Sequence, residues 1–144
     1  MEYAPDFFMS ETPTAQRSRA QWMEEKLGLD SEFLAKVLGI EVSVVQQWRS
    51  KRLRLSPETD RLFRDLWGMV LHLYSLCGGN VERLHPMVHE SGDWNRVASH
   101  PLLPPWVGSS MKDFLEQMGV EGIRKVEDWV MTFRFGNPYQ TTAV

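Results

Sequence analysis

The chain has 144 residues, 42% of them hydrophobic and 24% charged, with a formal net charge of -3. That length and balance describe one globular domain or two very small ones, and exclude a fibrous or disordered chain. No apolar run approaches the ~20 residues of a membrane helix, the lone Cys77 excludes an internal disulfide framework and fits a reducing cytosol, and the net charge alone does not point to nucleic acid.

In chain order, residues 1–14 carry Pro5, Pro13 and several Ser/Thr and read as a flexible segment. Tyr3, Phe7 and Phe8 are candidates to dock on the body or on a second subunit. The segment has no basic region and no long apolar run, so a secretory signal is not expected. Thr14 is predicted to cap a helix running to about Leu27, stopped by Gly28. Asp30 is predicted to cap a short helix over 31–38 that ends at Gly39, and a third helix follows over about 42–51. Ser56 before Pro57 is a start signal: a side-chain cap, then proline where its missing N–H costs nothing. The helix it opens, to about Cys77, places Leu62, Leu66, Val70, Leu73 and Cys77 on one stripe, with Phe63, Trp67, Leu71 and Tyr74 beside it. So wide an apolar face predicts burial on two sides.

Gly78-Gly79-Asn80 ends that helix. Short helices over 81–90 and 93–99 are expected next, interrupted by Pro86 and Gly92. The stretch HPLLPPWVGSS is a proline-rich connection with Trp106 expected to tuck inward. Ser110-x-x-Asp113 resembles a capping box and opens a helix to Met118, closed by Gly119. A last helix is predicted from about Glu121 to Phe133, with Ile123, Val126, Val130 and Phe133 on one face and Trp129 nearby. No strand alternation, hairpin signal, repeat or low-complexity tract is present, so the fold class is all-α.

Charge is unevenly spread. Residues 1–16 carry three acids and no base; residues 17–64 carry ten Lys/Arg against seven Asp/Glu; residues 65–144 carry six against nine. The positive segment holds SEFLAKVLGIEVSVVQQWRS, residues 31–50, followed by more basic residues. Here Leu34 and Leu38 face inward, Ala35 is small where two helices approach, and Gly39 admits an unusual backbone angle. Ile40 plugs the core behind the turn, while Val45 and Trp48 anchor the second helix. Ser43, Val44, Gln46, Gln47 and Arg49 are left facing out.

The alanine, the glycine and Val45 stand at the fifth, ninth and fifteenth places of this unit. LAKVLGIEVSVVQQW closely resembles the helix-turn-helix of phage-repressor and Xre-like regulators, over about residues 17–65. The resemblance implies a second helix lying in the major groove of double-stranded DNA, in proteins that usually bind two half-sites as dimers. Ser43, Gln46 and Gln47 are the expected base contacts, since Gln pairs with adenine and Ser with either kind of base. Ser31, Arg49, Lys51, Arg52 and Arg54 are the expected phosphate contacts. Glu41 departs from the pattern: it suits the helix dipole but would repel a nearby phosphate. On this reading residues 1–14 are a flexible segment, 15–55 the helix-turn-helix domain, 56–136 a helical dimerisation or partner-binding domain, and 137–144 a tail.

LLPPWVGSSMKDFLEQMGVEGIRKVEDWV is similar, more distantly, to the C-terminal region of Xre-type antitoxins of the MbcA/ParS kind. That resemblance implies a toxin as partner of the C-terminal half. Only Gly108 of the glycine-rich signature stands in the connection. A plain helical dimerisation or effector domain is the other reading.

Chemistry beyond binding has little support. His85 and His89 have a spacing that can hold zinc on a helix, but Pro86 disturbs the helix and no Glu stands beside the first His, so no metal is expected. Asp93 and His100 near Trp94 are not brought together by anything in the sequence. Glu24, Glu25, Glu127 and Asp128 read as solvated helix faces. With no phosphate-cradling loop and no nucleophile motif, neither an enzyme nor a cofactor is expected. The expectation is a cytoplasmic, dimeric, sequence-specific DNA-binding regulator, most simply a repressor. An antitoxin that sequesters a toxin and autoregulates, or an adaptor with a degenerate helix-turn-helix, are the alternatives. A homodimer is expected to join through residues 57–136, because two broad apolar faces there must cover each other or a second subunit.

Overall fold

A computed structural model describes residues 12–91 and 104–134. They form seven helices and no strand: α1 (Pro13–Leu27), α2 (Ser31–Leu38), α3 (Val42–Arg49), α4 (Pro57–Leu76), α5 (Val81–His89), α6 (Met111–Met118) and α7 (Val120–Arg134). Tyr3, Phe7, Phe8, the helix expected over 93–99, Asp93, Trp94, His100 and the tail lie outside the described residues, as does the side chain of Phe133. Among the described residues no helix is long and apolar enough to cross a membrane.

Side-chain caps set most of the starts. Asp30 Oδ1 accepts from the Phe33 N–H at 3.0 Å, Ser56 Oγ from the Thr59 N–H at 3.2 Å, and Ser110 Oγ from the Asp113 N–H at 3.0 Å. Each satisfies one of the N–H groups that a helix start leaves without a partner. The first helix corrects the expected cap. Thr12, not Thr14, accepts from the Ala15 N–H at 3.1 Å, and Pro13 occupies the first helical position. It is the same cap-then-proline device as Ser56-Pro57. α1 ends at Gly28, whose φ is 66° and whose missing Cβ leaves room for His89, 3.1 Å from where that atom would stand. The His89 Nε2–H donates to the Leu27 carbonyl, one of those orphaned at the end of α1.

α5 runs through Pro86 without a break. One backbone hydrogen bond is lost there, and burial of Leu84, Met87 and Val88 offsets it.

α4 is the spine. It packs on α2, α5 and, most extensively, α7. Phe63, Leu66, Trp67, Met69, Val70, Leu73 and Cys77 are buried, and Leu62, Leu71 and Tyr74 are half-buried, so the wide apolar face is covered as its periodicity predicts. Facing it, Ile123, Val126, Trp129 and Val130 of α7 are buried. The two faces therefore cover each other within the chain. The large apolar side chains left exposed among the described residues are Leu76, Val107, Met118 and Val120.

Aromatic edges knit the core. Trp22 meets Trp67 and Tyr74 edge-on at 5.7 and 5.4 Å, and Trp106, fully buried as expected, meets Trp129 at 5.1 Å. One continuous cluster of buried residues runs from Ala20 on α1 to Val130 on α7. α2 stands inside it, in contact with α3 and α4 as well as with α6.

Candidate nucleic-acid interface

The short α2 and α3 are joined by Gly39, Ile40 and Glu41. Gly39 has φ 70° and ψ 36°, the left-handed region in which a side chain is strained. The N–H groups of Gly39 and Ile40 both reach the Ala35 carbonyl, closing the end of α2. Phe33, Leu34, Ala35, Val37 and Leu38 are buried, so α2 is a structural support that presents only Glu32 and Lys36 fully to solvent.

α3 divides as its spacing predicts. Val45 and Trp48 are buried, with Trp48 packed edge-on against Phe63 at 5.0 Å. Ser43, Gln46 and Gln47 are exposed, while Val44, expected outside, is half-buried. Glu41 is exposed at the start of α3 and its side chain makes no cap hydrogen bond.

Arg49 does something else. Its Nη1–H donates to Glu24 Oε1 at 2.7 Å and to Ser31 Oγ at 3.0 Å, and its Nη2–H donates to Gln21 Oε1 at 2.7 Å. One guanidinium thus ties α3 to α1 and α2, and its side chain is only 15% exposed. Glu24 is accordingly an ion-pair partner, although its side chain stays 41% exposed on the expected helix face. Ser31 accepts from Arg49, which leaves its own hydroxyl hydrogen free to donate elsewhere.

Past Arg49 the chain makes a Schellman turn. The Arg52 N–H donates to the Gln47 carbonyl at 2.8 Å and the Lys51 N–H to the Trp48 carbonyl at 3.0 Å. Such turns favour glycine at the position Lys51 fills, and Lys51 is the one described non-glycine residue with positive φ, at 68°. The Trp48 carbonyl also accepts from Arg17 Nε–H on α1, at 2.6 Å. This brings Arg17 beside the basic turn. Arg17, Lys51, Arg52 and Arg54 line one open groove of about 440 Å³, completed by Pro13, Thr14 and Leu53, with no acid among them. Lys51, Arg52 and Arg54 are exposed. Arg17 lies 31 residues before Trp48 and no local pattern singles it out.

Other candidates do not assemble. The His85 and His89 rings lie 4.5 Å apart, but His89 is engaged with Leu27, and no cluster of three metal-binding side chains occurs among the described residues. Burial pushes the Cys77 thiol above its ordinary range, with Arg83 acting weakly the other way. Glu127 meets His72 across the α4–α7 contact, so it is no solvated face.

No protein-family model matches the chain, and no curated protein matches it. The helix-turn-helix resemblance therefore has no support from a family match. What stands plainly is an all-helical chain with seven helices among its described residues.

Proposed function

We propose that the chain is a sequence-specific regulator that binds double-stranded DNA as a homodimer, with α3 as the helix that enters the major groove. One observation carries this reading. Around the left-handed Gly39, α2 supports a helix whose buried side is Val45 and Trp48 and whose exposed side is Ser43, Gln46 and Gln47. Beside the end of that helix stands a groove with four cations and no acid. Amide and hydroxyl side chains next to a cationic rim suit base edges flanked by phosphates. Lys51, Arg52 and Arg54 form the phosphate rim, and Ser31 can donate to a phosphate through its free hydroxyl hydrogen. Arg49 serves the fold instead.

Selection of bound duplexes from a random pool, followed by titration at several salt concentrations, tests the proposal. Gln47→Ala is expected to cost about 1–3 kcal/mol on the selected site and to relax preference at one position. Equal losses on selected and random DNA would remove Gln47 from the base contacts. An absence of salt-dependent binding by the unaltered protein would refute the DNA reading itself.

A further inference from the structure

Arg17 is placed by the fold and not by its neighbours in sequence. It stands one turn into α1, and its Nε–H donates at 2.6 Å to the carbonyl of Trp48. That carbonyl already accepts from the Lys51 N–H at 3.0 Å. It belongs to the last turn of α3, the negative end of the helix dipole, where a cation is favoured. A neutral donor would close the same carbonyl. A guanidinium brings more, because it carries five N–H donors in a rigid fork. With Nε–H held by the fold, Nη1 and Nη2 stand at the end of a half-buried side chain that lines the basic groove.

Two stretches of chain line that groove. Lys51, Arg52, Leu53 and Arg54 follow α3, whereas Pro13, Thr14 and Arg17 come from the start of α1. Every charged residue of the lining is a cation, so the occupant it fits is an anion. Thr14 is exposed and adds a hydroxyl that can donate. Lys51, Arg52 and Arg54 all sit on one turn. Arg17 supplies charge from the α1 side and is tied to that turn through Trp48.

We infer that Arg17 is a phosphate clamp: its Nη groups hold a backbone phosphate of duplex DNA against the turn at Lys51, while its Nε–H fixes the guanidinium on α3. A planar fork suits phosphate oxygens better than a point charge does. Anchoring by the Trp48 carbonyl orients the fork before the phosphate arrives, so less side-chain freedom is lost on binding. Phosphate contacts set the register of a reading helix on the duplex. Here one residue governs both partners of that register, since the Trp48 ring anchors α3 in the core and its carbonyl anchors Arg17. This inference rests on the DNA reading of the proposed function, and it adds α1 to the surface that touches the backbone.

Neutral methylphosphonate linkages, placed one at a time along the selected duplex, test it by anisotropy titration of the full chain. One such linkage per half-site is expected to weaken the unaltered protein about tenfold, and Arg17→Gln far less, because that contact is already gone. Arg17→Gln should also lower the slope of log affinity against log salt by about 0.9 and weaken selected and random duplexes alike. A purely structural Arg17 would lower the melting temperature, leave the slope unchanged and couple to no linkage, and that result overturns the inference. So does saturation by inorganic phosphate alone at micromolar concentration, which would make the groove a free-anion site. Should Arg17→Gln fail to fold, phenylglyoxal modification of the unaltered protein, read residue by residue by mass spectrometry, decides. The duplex should protect Arg17 together with Arg52 and Arg54, and an Arg17 that reacts equally with and without duplex overturns the clamp. An unaltered protein with no salt-dependent binding refutes the DNA reading and this inference with it. One that binds duplex with Arg17 uncoupled refutes the clamp alone.

Discussion

Lys51→Gly is expected to make the protein more stable and its DNA binding weaker at the same time. Lys51 holds φ at 68°, where a Cβ crowds the backbone. A non-glycine residue pays roughly 1–2 kcal/mol for that conformation. Glycine removes the strain but adds ~0.4–1 kcal/mol of unfolded-state freedom, leaving a net gain of ~0.5–1 kcal/mol. In a chain of this size that is a rise of about 2–4 °C in melting temperature. The same change deletes one cation from the groove lined by Arg17, Arg52 and Arg54. If Lys51 neutralises a phosphate, the slope of log affinity against log salt should fall by about 0.9. Thermal melts followed by circular dichroism and anisotropy titrations on a labelled duplex read the two effects separately. Lys51→Ala is the control: it keeps the strain and loses the charge, so only the slope should change. An unchanged salt slope in both variants would refute the phosphate contact. A lower melting temperature for Lys51→Gly would refute the strain argument.

Trp48→Ala should destabilise the fold by roughly 3–5 kcal/mol, because the ring is buried against Phe63; a variant that melts normally but fails on DNA would mean that Trp48 faces the ligand. Arg49→Ala should cost about 1 kcal/mol of stability, a figure kept low because Glu24 is partly solvated. It should leave the salt slope unchanged, and a slope reduced by one unit in urea-stable protein would return Arg49 to the phosphate contacts. Cys77 gives a pH effect of definite sign. Its thiol stays protonated in the fold at a pH where the unfolded chain has already lost the proton, so stability falls as pH rises past the ordinary thiol range. Denaturation midpoints of the native protein and of Cys77→Ala should diverge there, and parallel curves would show that the thiol is not held neutral.

The helix starts were legible wherever a cap and its proline are adjacent in sequence. Ser56-Pro57 marks the start of α4, and Thr12-Pro13 is the same signal at the start of α1, where Thr14 lies one residue inside the helix. The inward stripe of α3 was also legible, because Val45 and Trp48 obey helical spacing. Spacing fixes the direction of a Cβ and not the end of a long side chain. Arg49 leaves α3 where an outward residue should, then folds back to Glu24, 25 residues earlier. The same limit hides Arg17, which enters the basic groove only because its Nε–H finds the Trp48 carbonyl. The apolar faces of α4 and α7 could cover each other or a second subunit; periodicity shows only that a face must be covered, and α7 covers α4 within one chain.

The position of α2 links the two halves of the molecule. In a free helix-turn-helix the first helix of the pair needs only a hydrophobic back. Here Val37 and Leu38 are buried in a helix that touches α3 and α4 and also α6. Gly119, at the end of α6, lies against the Val37 backbone, with 3.5 Å between its missing Cβ and the Val37 carbonyl oxygen. Shifting α6 or α7 would therefore press on α2, and α2 carries α3 through the fixed turn at Gly39. Arg49 adds a polar tie from α3 to Ser31 at the opposite end of α2. A packed core passes on displacement because it has few voids in which to absorb it. Anything that docks on α7 thus has a short physical route to the side chains exposed on α3, through α6 and α2.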